Sequence, residues 1–463
     1  MTDLTSHPWF FCGIGGSGML PLALILHGAG AVVAGSDRSR DQGRTPEKFA
    51  WLESLGFALH PQDGSGIVSA EQTLVASAAV EDTVPEMIRA KELGCPRMSR
   101  AELLATLFNA AETRIAIGGT SGKSTVTGMA GWIMDQAGRD PTIMNGAVMK
   151  NYASPDAPFA SARVGKGPVF VSEVDESDGS IVLYRPQVAV LNNITLDHKS
   201  LEELHGLFGD FLAEARVAII NADDPESAPF LKLEHARSFG FRDDADYRAA
   251  QFTPLPLGSR FSVCHDGTVT PVELQMPGRH NVSNALAAIA ASHAAGVSVA
   301  DAAAALGTFA GLARRFDIVG TSRSGITVID DFGHNPDKVA ATLATLKAHP
   351  GRVIAFFQPH GYGPLRQMGA ELAQTFAREL GPDDLTILCD PVYFGGTVDQ
   401  SEGSERIVRL IREAGGSAEY IPSREDCGTH IAALVRPGDR VVIMGARDDT
   451  LALFARDLLA VIA

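Results

Sequence analysis

The sequence predicts an α/β protein built from parallel sheets with helical crossovers. Short apolar runs alternate with helical patterns along most of the chain, which is the rhythm of strand–helix–strand units. Two glycine-rich turns, Gly13–Gly18 and Gly119–Gly122, each follow an apolar run and precede a helical pattern. A chain of 463 residues is too long for one ordinary core, so we expect about three domains.

Composition excludes several classes of function. Hydrophobic residues make up 45% and charged residues 20%, as in soluble globular proteins. The formal charge of −16 argues against nucleic-acid or anionic-membrane partners, because the global field repels phosphate polymers. The five cysteines show no Cys-x-x-Cys spacing, and we find no signal peptide and no apolar run that spans a bilayer. These features predict a cytoplasmic protein with reduced thiols.

The first domain is predicted over residues 1–109. Its glycine cluster has the pattern Gly-x-Gly-x-x-Gly at Gly13, Gly15 and Gly18, with Asp37 at the end of the next strand. Such glycines let the backbone approach a pyrophosphate at a helix N-terminus, so the pattern predicts a nucleotide-diphosphate site, of which an NAD site is the commonest kind. The predicted strands are Trp9–Ile14, Ala31–Ser36 and Thr73–Ser77, and the predicted helices are Met19–Leu26, Phe49–Leu55 and Val84–Leu93.

The second domain is predicted over residues 110–312 and opens with the most informative segment, Arg114–Thr125. An apolar strand, a glycine-rich turn and a helix opened by Lys123 and Ser124 form a cradle for phosphates. Lysine supplies a cation for the outer phosphates, and the hydroxyl beside it can ligate Mg²⁺. The usual pattern has glycine where this chain has Ile117, so the loop is shortened. We predict a nucleoside-triphosphate site rather than a turn with a solvated lysine.

Two strand ends of this domain carry polar chemistry. The segment Val171–Asp178 holds four carboxylates, and strand alternation points Glu173 with Asp175 toward one face. Glu173 is the preferred Mg²⁺ ligand, and the alternative is a solvated acidic turn. His198 follows the next buried strand, where it is either structural or in reach of a metal or phosphate.

The other predicted elements of the second domain complete an α/β unit. Asn281 and Asn284 lie on one helical face, where they suit an adenine edge, a helix cap, or both. We predict strands at Thr113–Ile117, Val169–Glu173, Val188–Asn192 and Val217–Asn221, hairpins or loops at Phe252–Val272, and helices at Thr125–Gln136, Asn281–His293 and Val299–Leu306.

The third domain is predicted over residues 313–463. Two guanidiniums, on Arg314 and Arg315, stand at its start, where they can neutralise phosphate charge. Two predicted strands end in Asp330–Pro336 and Phe357–Tyr362, which carry Asp and His at the sheet edge where open α/β sheets build their sites. The predicted strands are Ile326–Asp330, Val353–Phe357, Leu385–Leu388, Ala418–Tyr420 and Arg440–Met444, with helices at Pro336–Ala348 and Ser404–Glu413.

Taken in order, these motifs resemble those of the Mur ligases, the ATP-dependent amide ligases that build the peptidoglycan stem peptide. The resemblance extends over essentially the whole chain and is nearest to the branch that adds L-alanine. The shortened phosphate loop is a mark of this family. The motifs that carry the resemblance are Gly13–Met19, Gly119–Thr125, Glu173–Asp178, Asn193–His198, Gly278–Asn281, Arg314–Asp317, Asp331–Pro336 and Phe357–His360.

The resemblance implies a UDP-sugar-binding, Rossmann-like first domain without NAD, a central ATPase domain and a Rossmann-like third domain that closes over the site. It implies that the lactyl carboxylate of UDP-N-acetylmuramate attacks the γ-phosphate of ATP, and that an amino group then attacks the resulting acyl phosphate. ATP and Mg²⁺ are the implied cofactors, and UDP-N-acetylmuramate and an amino acid the implied substrates. We expect a monomer or a weak homodimer.

The resemblance also assigns roles to individual residues. The implied catalytic residues are Lys123, Glu173, His198 and His360, and the implied metal ligands are Ser124, Glu173 and His198. The implied ATP contacts are Gly119, Thr120, Ser121, Gly122, Lys123, Ser124, Thr125, Asn281, Arg315 and Asp331. The implied substrate contacts are Gly13, Gly15, Gly16, Ser17, Gly18, Asp37, Ser77 and His334.

Two segments depart from the alanine-adding pattern. That pattern has Arg-Tyr-Thr-Arg after Phe-Gln-Pro-His, whereas this chain has Gly361–Pro364, without either arginine. A loop of the Gly-Ala-Gly type reads Gly445–Asp449 here. Arg366 and Arg447 are candidates to replace the missing cations, and the identity of the acceptor stays open.

The alternatives therefore fall into three classes. Within the family, the alternatives to an alanine-adding ligase are a murein-tripeptide recycling ligase, a Mur-type ligase with another acceptor, and a folate-type relative. A non-catalytic UDP-sugar-binding paralogue is the alternative outside enzyme chemistry. An NAD-dependent oxidoreductase explains the first glycine cluster but leaves the phosphate loop without a use.

Overall fold

The computed structural model describes residues 5, 7–78, 80–195, 199–392, 399–446 and 448–462. Within these ranges the strands form three mainly parallel sheets, of five, ten and six strands, with helices as crossovers. This is the predicted α/β fold class.

The first sheet has the order β3-β2-β1-β4-β5, and its four strand pairs are parallel. Its central strand is buried at all four residues, as expected for a strand covered by helices on both faces. The strands are β1 Trp9–Cys12, β2 Val33–Ser36, β3 Ala58–His60, β4 Thr73–Ala76 and β5 Arg97–Ser99. The helices are α1 Met19–Gly28, α2 Arg38–Asp41, α3 Pro46–Ser54, α4 Pro85–Leu93 and α5 Arg100–Asn109.

The second sheet has the order β15-β14-β13-β12-β11-β10-β6-β9-β7-β8. The strands are β6 Thr113–Gly118, β7 Thr142–Met144, β8 Ala162–Arg163, β9 Val169–Glu173, β10 Val188–Leu191, β11 Val217–Asn221, β12 Ala236–Gly240, β13 Tyr247–Leu255, β14 Gly258–His265 and β15 Thr268–Leu274. The helices are α6 Lys123–Gln136, α7 Leu201–Ala213, α8 Arg279–Ala294 and α9 Val299–Leu306, with 3₁₀ turns at Ser180–Leu183 and Pro225–Lys232. The neighbours of β6 are β10 and β9, so the ends of these three strands meet at one edge.

The predicted hairpin region is formed by β13, β14 and β15. The strands β14 and β15 are antiparallel and are joined by Asp266 and Gly267, which both have positive φ, 46° and 73°. An Asp-Gly pair is typical of a type I′ turn, whose twist matches that of the flanking strands. The alternative of an irregular loop is therefore wrong for this segment.

The third sheet has the order β16-β17-β21-β18-β19-β20 and is parallel except for the pair β16 and β17. The strands are β16 Asp317–Thr321, β17 Thr327–Asp331, β18 Val353–Gln358, β19 Leu385–Leu388, β20 Ala418–Tyr420 and β21 Arg440–Gly445. The helices are α10 Pro336–Lys347, α11 Tyr362–Glu379, α12 Ser404–Glu413, α13 Arg424–Leu434 and α14 Leu451–Ile462.

The chain divides into two compact units, which we describe separately. The first unit runs to residue 311 without 254–258 and 276–280, and the second contains those two segments and residues 312–463. The first two sheets share the first unit, where Phe108 packs edge-on against Phe170 and Tyr184. The exact domain boundaries at 109/110 and 312/313 stay predictions. In the described part of the chain, no helix combines the length and the apolar character that a membrane span needs.

Most predicted elements are found within a few residues of their predicted bounds. The sequence patterns missed several helices, among them α5, α7, α11 and α14. A capping box starts both α5 and α7, with Ser99 bonded to Glu102 and Ser200 bonded to Glu203. The spacing Ser-x-x-Glu was therefore a readable helix-start signal that the sequence analysis did not use.

Candidate active site

The phosphate loop consists of the four residues between β6 and α6. Gly119 and Gly122 have φ values of 127° and 82°, in the left-handed region that favours glycine. A Cβ atom at Gly122 would collide with the amide of Asn192 and lie 2.6 Å from Oδ1 of Asn284. Glycine is required here because the loop turns tightly against two neighbouring side chains. Gly122 is the residue directly before α6, so the loop ends at the N-terminus of this helix.

Lys123 is held between a backbone carbonyl and a buried carboxylate. Its Nζ donates to the Gly119 oxygen and to Oε2 of Glu176, both at 2.7 Å. Burial by itself lowers the pKa of a lysine, but the negative charges of Glu176, Asp175 and Glu173 outweigh burial and raise the pKa of Lys123 above its usual value. The side chain therefore keeps its positive charge at neutral pH, as phosphate binding requires.

Ser124 and Glu173 are in direct contact. The Ser124 hydroxyl donates to Oε2 of Glu173 at 2.7 Å, and Nδ2 of Asn145 donates to the Ser124 carbonyl at 2.9 Å. A Cβ atom at Gly146 would collide with Oε1 of Glu173. The strand-end carboxylate is thus positioned by packing on one side and by the first turn of α6 on the other.

The hydroxyl and carboxylate oxygens of this pair are the hard ligands that Mg²⁺ prefers. The third implied ligand, His198, lies outside the described residues. Among the described residues, no group of three or more His, Cys, Asp and Glu side chains is arranged to hold a metal ion. A site with one carboxylate and one hydroxyl still fits Mg²⁺, because this ion usually keeps several waters and is completed by substrate phosphates.

Two asparagines that the sequence analysis assigned no role shape the loop. Oδ1 of Asn193 accepts from the Ser121 N–H at 2.8 Å and from the Thr120 hydroxyl at 2.9 Å. Nδ2 of Asn192 donates to the Ser121 carbonyl at 2.9 Å and to Oδ1 of Asn284 at 3.0 Å. Both follow the buried strand β10, so a polar pair directly after a buried strand was the available signal.

Asn281, Asn284 and Thr125 are buried beside this loop. Nδ2 of Asn284 donates to Oδ1 of Asn281 at 3.3 Å. Helix α8 begins at Arg279, so both asparagines lie inside it, and the helix-capping alternative stays a prediction. Thr125 lies in the first turn of α6 and is 5% exposed. Contacts from Asn281 and Thr125 to ATP stay predictions.

The glycine loop Gly13–Gly18 connects β1 to α1 in the first sheet. The N–H of Gly15 donates to Oδ2 of Asp37 at 2.8 Å, and Nζ of Lys48 donates to the Gly15 carbonyl at 3.3 Å. Oδ1 of Asp37 also accepts from the Ser39 N–H at 2.8 Å. Asp37 therefore holds the loop from inside the fold, and a direct contact from it to substrate stays a prediction.

The far end of the glycine loop offers backbone donors. The N–H of Gly16 bonds to the Gly13 carbonyl at 3.1 Å, whereas the N–H groups of Ser17 and Gly18 find no acceptor among the described residues. Ser77 directly follows β4, and its carbonyl accepts from the Val80 N–H at 3.1 Å. Ser17 and Gly18 therefore have the free donors that an anion needs.

In the second unit, both carboxylate oxygens of Asp331 accept hydrogen bonds from residues near the end of β17. Its carboxylate accepts from the N–H groups of Phe316 and Gly333, both at 2.8 Å, and from the Thr342 hydroxyl at 2.9 Å. These bonds fix the turn that follows β17. The ATP contact implied for Asp331 stays a prediction, and any such contact has to share these oxygens.

Arg314 also has a structural position. Nη1 donates to the Asp448 carbonyl at 3.0 Å and Nη2 to the Gly445 carbonyl at 2.8 Å, while Nε lies 3.5 Å from Oδ2 of Asp330. Burial raises the pKa of Asp330 to about 6, although the guanidinium beside it acts in the opposite direction. Of the two arginines predicted to neutralise phosphate charge, Arg314 thus uses its guanidinium to bond backbone carbonyls of the second unit.

Arg315 lies over the ring of Phe332, with its guanidinium carbon 4.2 Å from the ring centroid. Such stacking holds the planar side chain without removing its charge. Arg315 therefore remains the better candidate of the two for an ATP contact.

His334 follows β17 and His360 follows β18, the strands on either side of β21, and the two rings meet edge to face with centroids 5.1 Å apart. Nδ1 of His334 lies 2.9 Å from the Phe332 carbonyl, which can only accept, so this nitrogen carries the proton. Burial and the nearby Lys338 lower the pKa of His334 to about 3. Its ring is neutral at physiological pH, with Nε2 as an acceptor.

The segment Gly361–Pro364 runs into α11, which begins at Tyr362. Arg366 lies on this helix, where its Nη1 donates to the Asp399 carbonyl at 2.6 Å and lies 3.1 Å from the Asp399 carboxylate. Arg447 lies outside the described residues. Arg366 is therefore already paired, and its role as a replacement for the missing arginines stays a prediction.

Three family models match the chain in sequence order. They are described as Mur ligase family, catalytic domain, over residues 10–112, Mur ligase middle domain, over 117–292, and Mur ligase, glutamate ligase domain, over 314–447. Together they cover most of the chain, in the order of the three predicted domains.

Curated relatives match over almost their full length. A UDP-N-acetylmuramate–L-alanine ligase of Agrobacterium fabrum is 36% identical over 461 residues, which cover 95% of this chain and 94% of that protein. A ligase of the same name from Streptomyces avermitilis is 34% identical, with 95% and 94% covered.

Solved structures give the same picture. A UDP-N-acetylmuramate-alanine ligase from Thermotoga maritima superposes with a TM-score of 0.81 at 24% identity, covering 98% of both chains. A murein peptide ligase from Psychrobacter arcticus superposes with a TM-score of 0.71 at 26% identity, covering 99% of both. With the shortened phosphate loop and its strand-end carboxylate, these matches show that the chain belongs to the Mur ligase family, with its three-domain α/β architecture.

Proposed function

We propose that this protein is an ATP-dependent ligase that joins L-alanine to the lactyl carboxylate of UDP-N-acetylmuramate, in the synthesis of peptidoglycan precursors. The observation that carries the proposal is the phosphate loop together with the residues directly after it, Lys123 paired with Glu176 and Ser124 bonded to Glu173. The names of relatives at 34% and 36% identity support the choice of substrates.

The chemistry follows from the leaving group. A carboxylate does not lose oxygen readily, so an oxygen of the lactyl carboxylate first attacks the γ-phosphorus of ATP. The bond from this phosphorus to the β,γ-bridging oxygen breaks, ADP leaves with its electron pair, and the carboxylate becomes an acyl phosphate. The amino group of alanine then attacks the acyl carbon, and inorganic phosphate leaves with the electron pair of the broken C–O bond. Lys123 stabilises negative charge on the phosphoryl group during transfer, and the N-terminus of α6 holds the remaining phosphates.

Ser124 and Glu173 would hold Mg²⁺, together with His198. The ion would supply positive charge that offsets the negative charge of the phosphates during transfer. Before the ion arrives, the hydrogen bond between Ser124 and Glu173 keeps both ligands at the end of β9 and the start of α6.

The other assignments follow the domain order. Residues 1–109 bind the UDP-sugar, with its pyrophosphate on the glycine loop, residues 110–312 bind ATP, and residues 313–463 contribute Arg315 to ATP and bring the acceptor. His334 and His360 mark the part of the third domain that handles substrate. The protein acts as a monomer or weak homodimer in the cytoplasm.

A murein-peptide ligase is the second candidate. The missing arginines in Gly361–Pro364 remove two cations that a free amino acid would use, and the Psychrobacter arcticus murein peptide ligase shares the fold over the full chain. A larger acceptor carries its own binding contacts and depends less on this segment.

One assay separates these functions. Phosphate release is measured with ATP, Mg²⁺ and UDP-N-acetylmuramate across a panel of single amino acids and the murein tripeptide. Turnover with L-alanine is the expected result. Turnover with the tripeptide alone would replace the proposal by the second candidate, and UDP-sugar binding without turnover on any acceptor would identify a non-catalytic paralogue.

A further inference from the structure

We infer that Arg100 is a further ligand for the diphosphate of the nucleotide sugar. Two carboxylates near the phosphate loop pair with Arg100 and compete with the diphosphate for it. This inference rests on the proposed function, because it assumes that the glycine loop Gly13–Gly18 binds a nucleoside diphosphate. Arg100 is the first residue of α5 and belongs to none of the motifs found in the sequence.

The Arg100 side chain lies against the end of the glycine loop. A Cβ atom added at Gly18 would lie 3.1 Å from Cδ and 3.2 Å from Nη1 of Arg100. Gly18 is the residue before α1, so the guanidinium stands directly beside the start of that helix. Glycine at this position keeps the space that lets the cation reach the loop.

Nothing in the loop itself explains a cation there. The start of α1 repels positive charge, since the helix dipole places a partial positive charge at its N-terminus. The first turn of α1 carries no acidic residue, and Gly18 has no side chain that could cap the helix. The N–H groups of Ser17 and Gly18 also lack acceptors among the described residues. A guanidinium and two N–H donors that lie together at the start of one helix offer positive charge and hydrogen-bond donors to a polyanion.

Arg100 pairs with two carboxylates. Nη2 lies 3.3 Å from Oδ2 of Asp178 and 3.5 Å from Oδ2 of Asp175. The three side chains are 19%, 25% and 39% exposed for Arg100, Asp178 and Asp175, so these ion pairs are partly solvated and weak enough to exchange. A diphosphate carries more charge than either carboxylate and accepts in a bidentate manner, so it outcompetes them.

The arrangement connects the two substrate sites of the first unit. Asp175 and Asp178 belong to the strand-end segment that also contains Glu173 and Glu176, the partners of Ser124 and Lys123. Arg100 thus reaches from the first sheet into the carboxylate segment of the second.

The test measures the affinity for UDP-N-acetylmuramate by calorimetry in the full-length protein. Arg100→Ala is expected to weaken binding about ten- to a hundredfold, the usual effect of losing a hydrogen bond to a charged group, and Arg100→Lys to restore part of it. Arg97→Ala is the matched control, because Arg97 lies three residues earlier and pairs with Asp82 at the surface. The affinity for a nonhydrolysable ATP analogue and the unfolding temperature should stay nearly constant, which separates ligand binding from a structural role.

A second variant tests the competition directly. Asp178→Asn keeps an oxygen for the Ser180 N–H but removes the charge that retains Arg100, so it should tighten UDP-sugar binding about two- to fivefold. In the Arg100→Ala background the same change should have no effect. Equal affinity of Arg100→Ala and the unchanged protein, or an Asp178→Asn effect that persists without Arg100, would overturn the inference. Absence of any UDP-sugar binding by the unchanged protein would instead overturn the proposed function and the inference with it.

Discussion

The first unit contains two glycine-rich loops with the same strand–loop–helix backbone but different side chains around them. Gly13–Gly18 and Gly119–Gly122 each connect a buried parallel strand to a helix, and each has glycine at positive φ, at Gly13 in the first loop and at Gly119 and Gly122 in the second. The second loop is followed at once by Lys123 and Ser124, with Glu173 and Glu176 opposite them. The first is backed by Asp37 and has neither a lysine nor a hydroxyl at the start of its helix.

This difference shows what a strand–loop–helix backbone needs in addition if it is to support phosphoryl transfer rather than phosphate binding alone. Backbone N–H groups and a helix N-terminus suffice to bind a phosphate that does not react. Transfer of a phosphoryl group also needs charge that follows the reacting oxygens, which only side chains and a metal supply. We therefore expect changes in the loop at Gly119–Gly122 to affect turnover, and changes in the loop at Gly13–Gly18 to affect affinity.

Lys123→Ala is expected to give the largest difference between the effect on turnover and the effect on UDP-sugar affinity. Removing the cation from the transferring phosphoryl group should lower kcat about 10²- to 10³-fold. The affinity for UDP-N-acetylmuramate should stay within about twofold, because the lysine belongs to the other loop. Steady-state kinetics and calorimetry check the two quantities, and a large loss of UDP-sugar affinity would contradict the assignment of the loops.

Gly146→Ala tests the position of the carboxylate rather than its presence. The added methyl group would collide with Oε1 of Glu173 and push this flexible side chain away from Ser124. We expect about ten- to a hundredfold weaker apparent Mg²⁺ affinity in the turnover assay, as for other changes to residues that orient metal ligands. Gly206→Ala on α7 is the control, since a Cβ atom there meets nothing within 4 Å. Equal Mg²⁺ titrations of the two variants would remove Glu173 from the metal site.

Asp37→Ala should act on the other loop alone. The change leaves the buried N–H of Gly15 without its acceptor and removes the cap from α2. We expect about tenfold weaker UDP-sugar binding with unchanged affinity for an ATP analogue. Asp41→Ala serves as the comparison, because the Asp41 carboxylate accepts from the Gln62 N–H at the surface, away from the glycine loop's own bonds. If both variants lose the same affinity, Asp37 has no special part in the loop.

The smallest expected effect concerns His334 in the second unit. Its pKa falls from 6.5 to about 3 on folding, so between these pH values the unfolded chain binds a proton that the folded chain does not. Stability from this group is fully present above pH 6.5 and is lost as the pH falls toward 3. His334→Gln should therefore reduce the loss of unfolding free energy between pH 7 and 5 by about 2 kcal/mol or less. Denaturant unfolding at both pH values measures it, and parallel curves would show that His334 stays protonatable when folded.

Sequence patterns predicted the fold class, the parallel strands and both glycine loops, because these depend on local periodicity and on glycine spacing. The strand β6 and the helix α6 were read from Arg114–Thr125 alone. Helices such as α11 were missed, since Gly363 and Pro364 in its first turn are the residues that usually mark a loop. A buried packing face on α11, formed by residues such as Leu365 and Leu372, overrides that local signal.

The candidate site divides in the same way. Lys123, Ser124 and Glu173 were identified because a motif or a strand end marks each of them. Glu176, Asn192 and Asn193 were not assigned, although they contact Lys123 or the loop before it. A polar residue after a buried strand is a readable signal, but the linear order does not say which strand lies beside β6. The sheet order places β10 and β9 on its two sides, and this neighbourhood selects the partners.

The sequence by itself determined which chemical groups this protein has, namely two glycine-rich loops, a lysine, a hydroxyl and a strand-end carboxylate. Only the tertiary structure decided how these groups are paired. It holds Lys123 against Glu176, commits Arg314 and Asp331 to their own sheet edge, and brings Arg100 to Gly18. The physical reason is that pairing depends on contacts between residues far apart in the chain, which form when strands of different segments meet at one edge of a sheet.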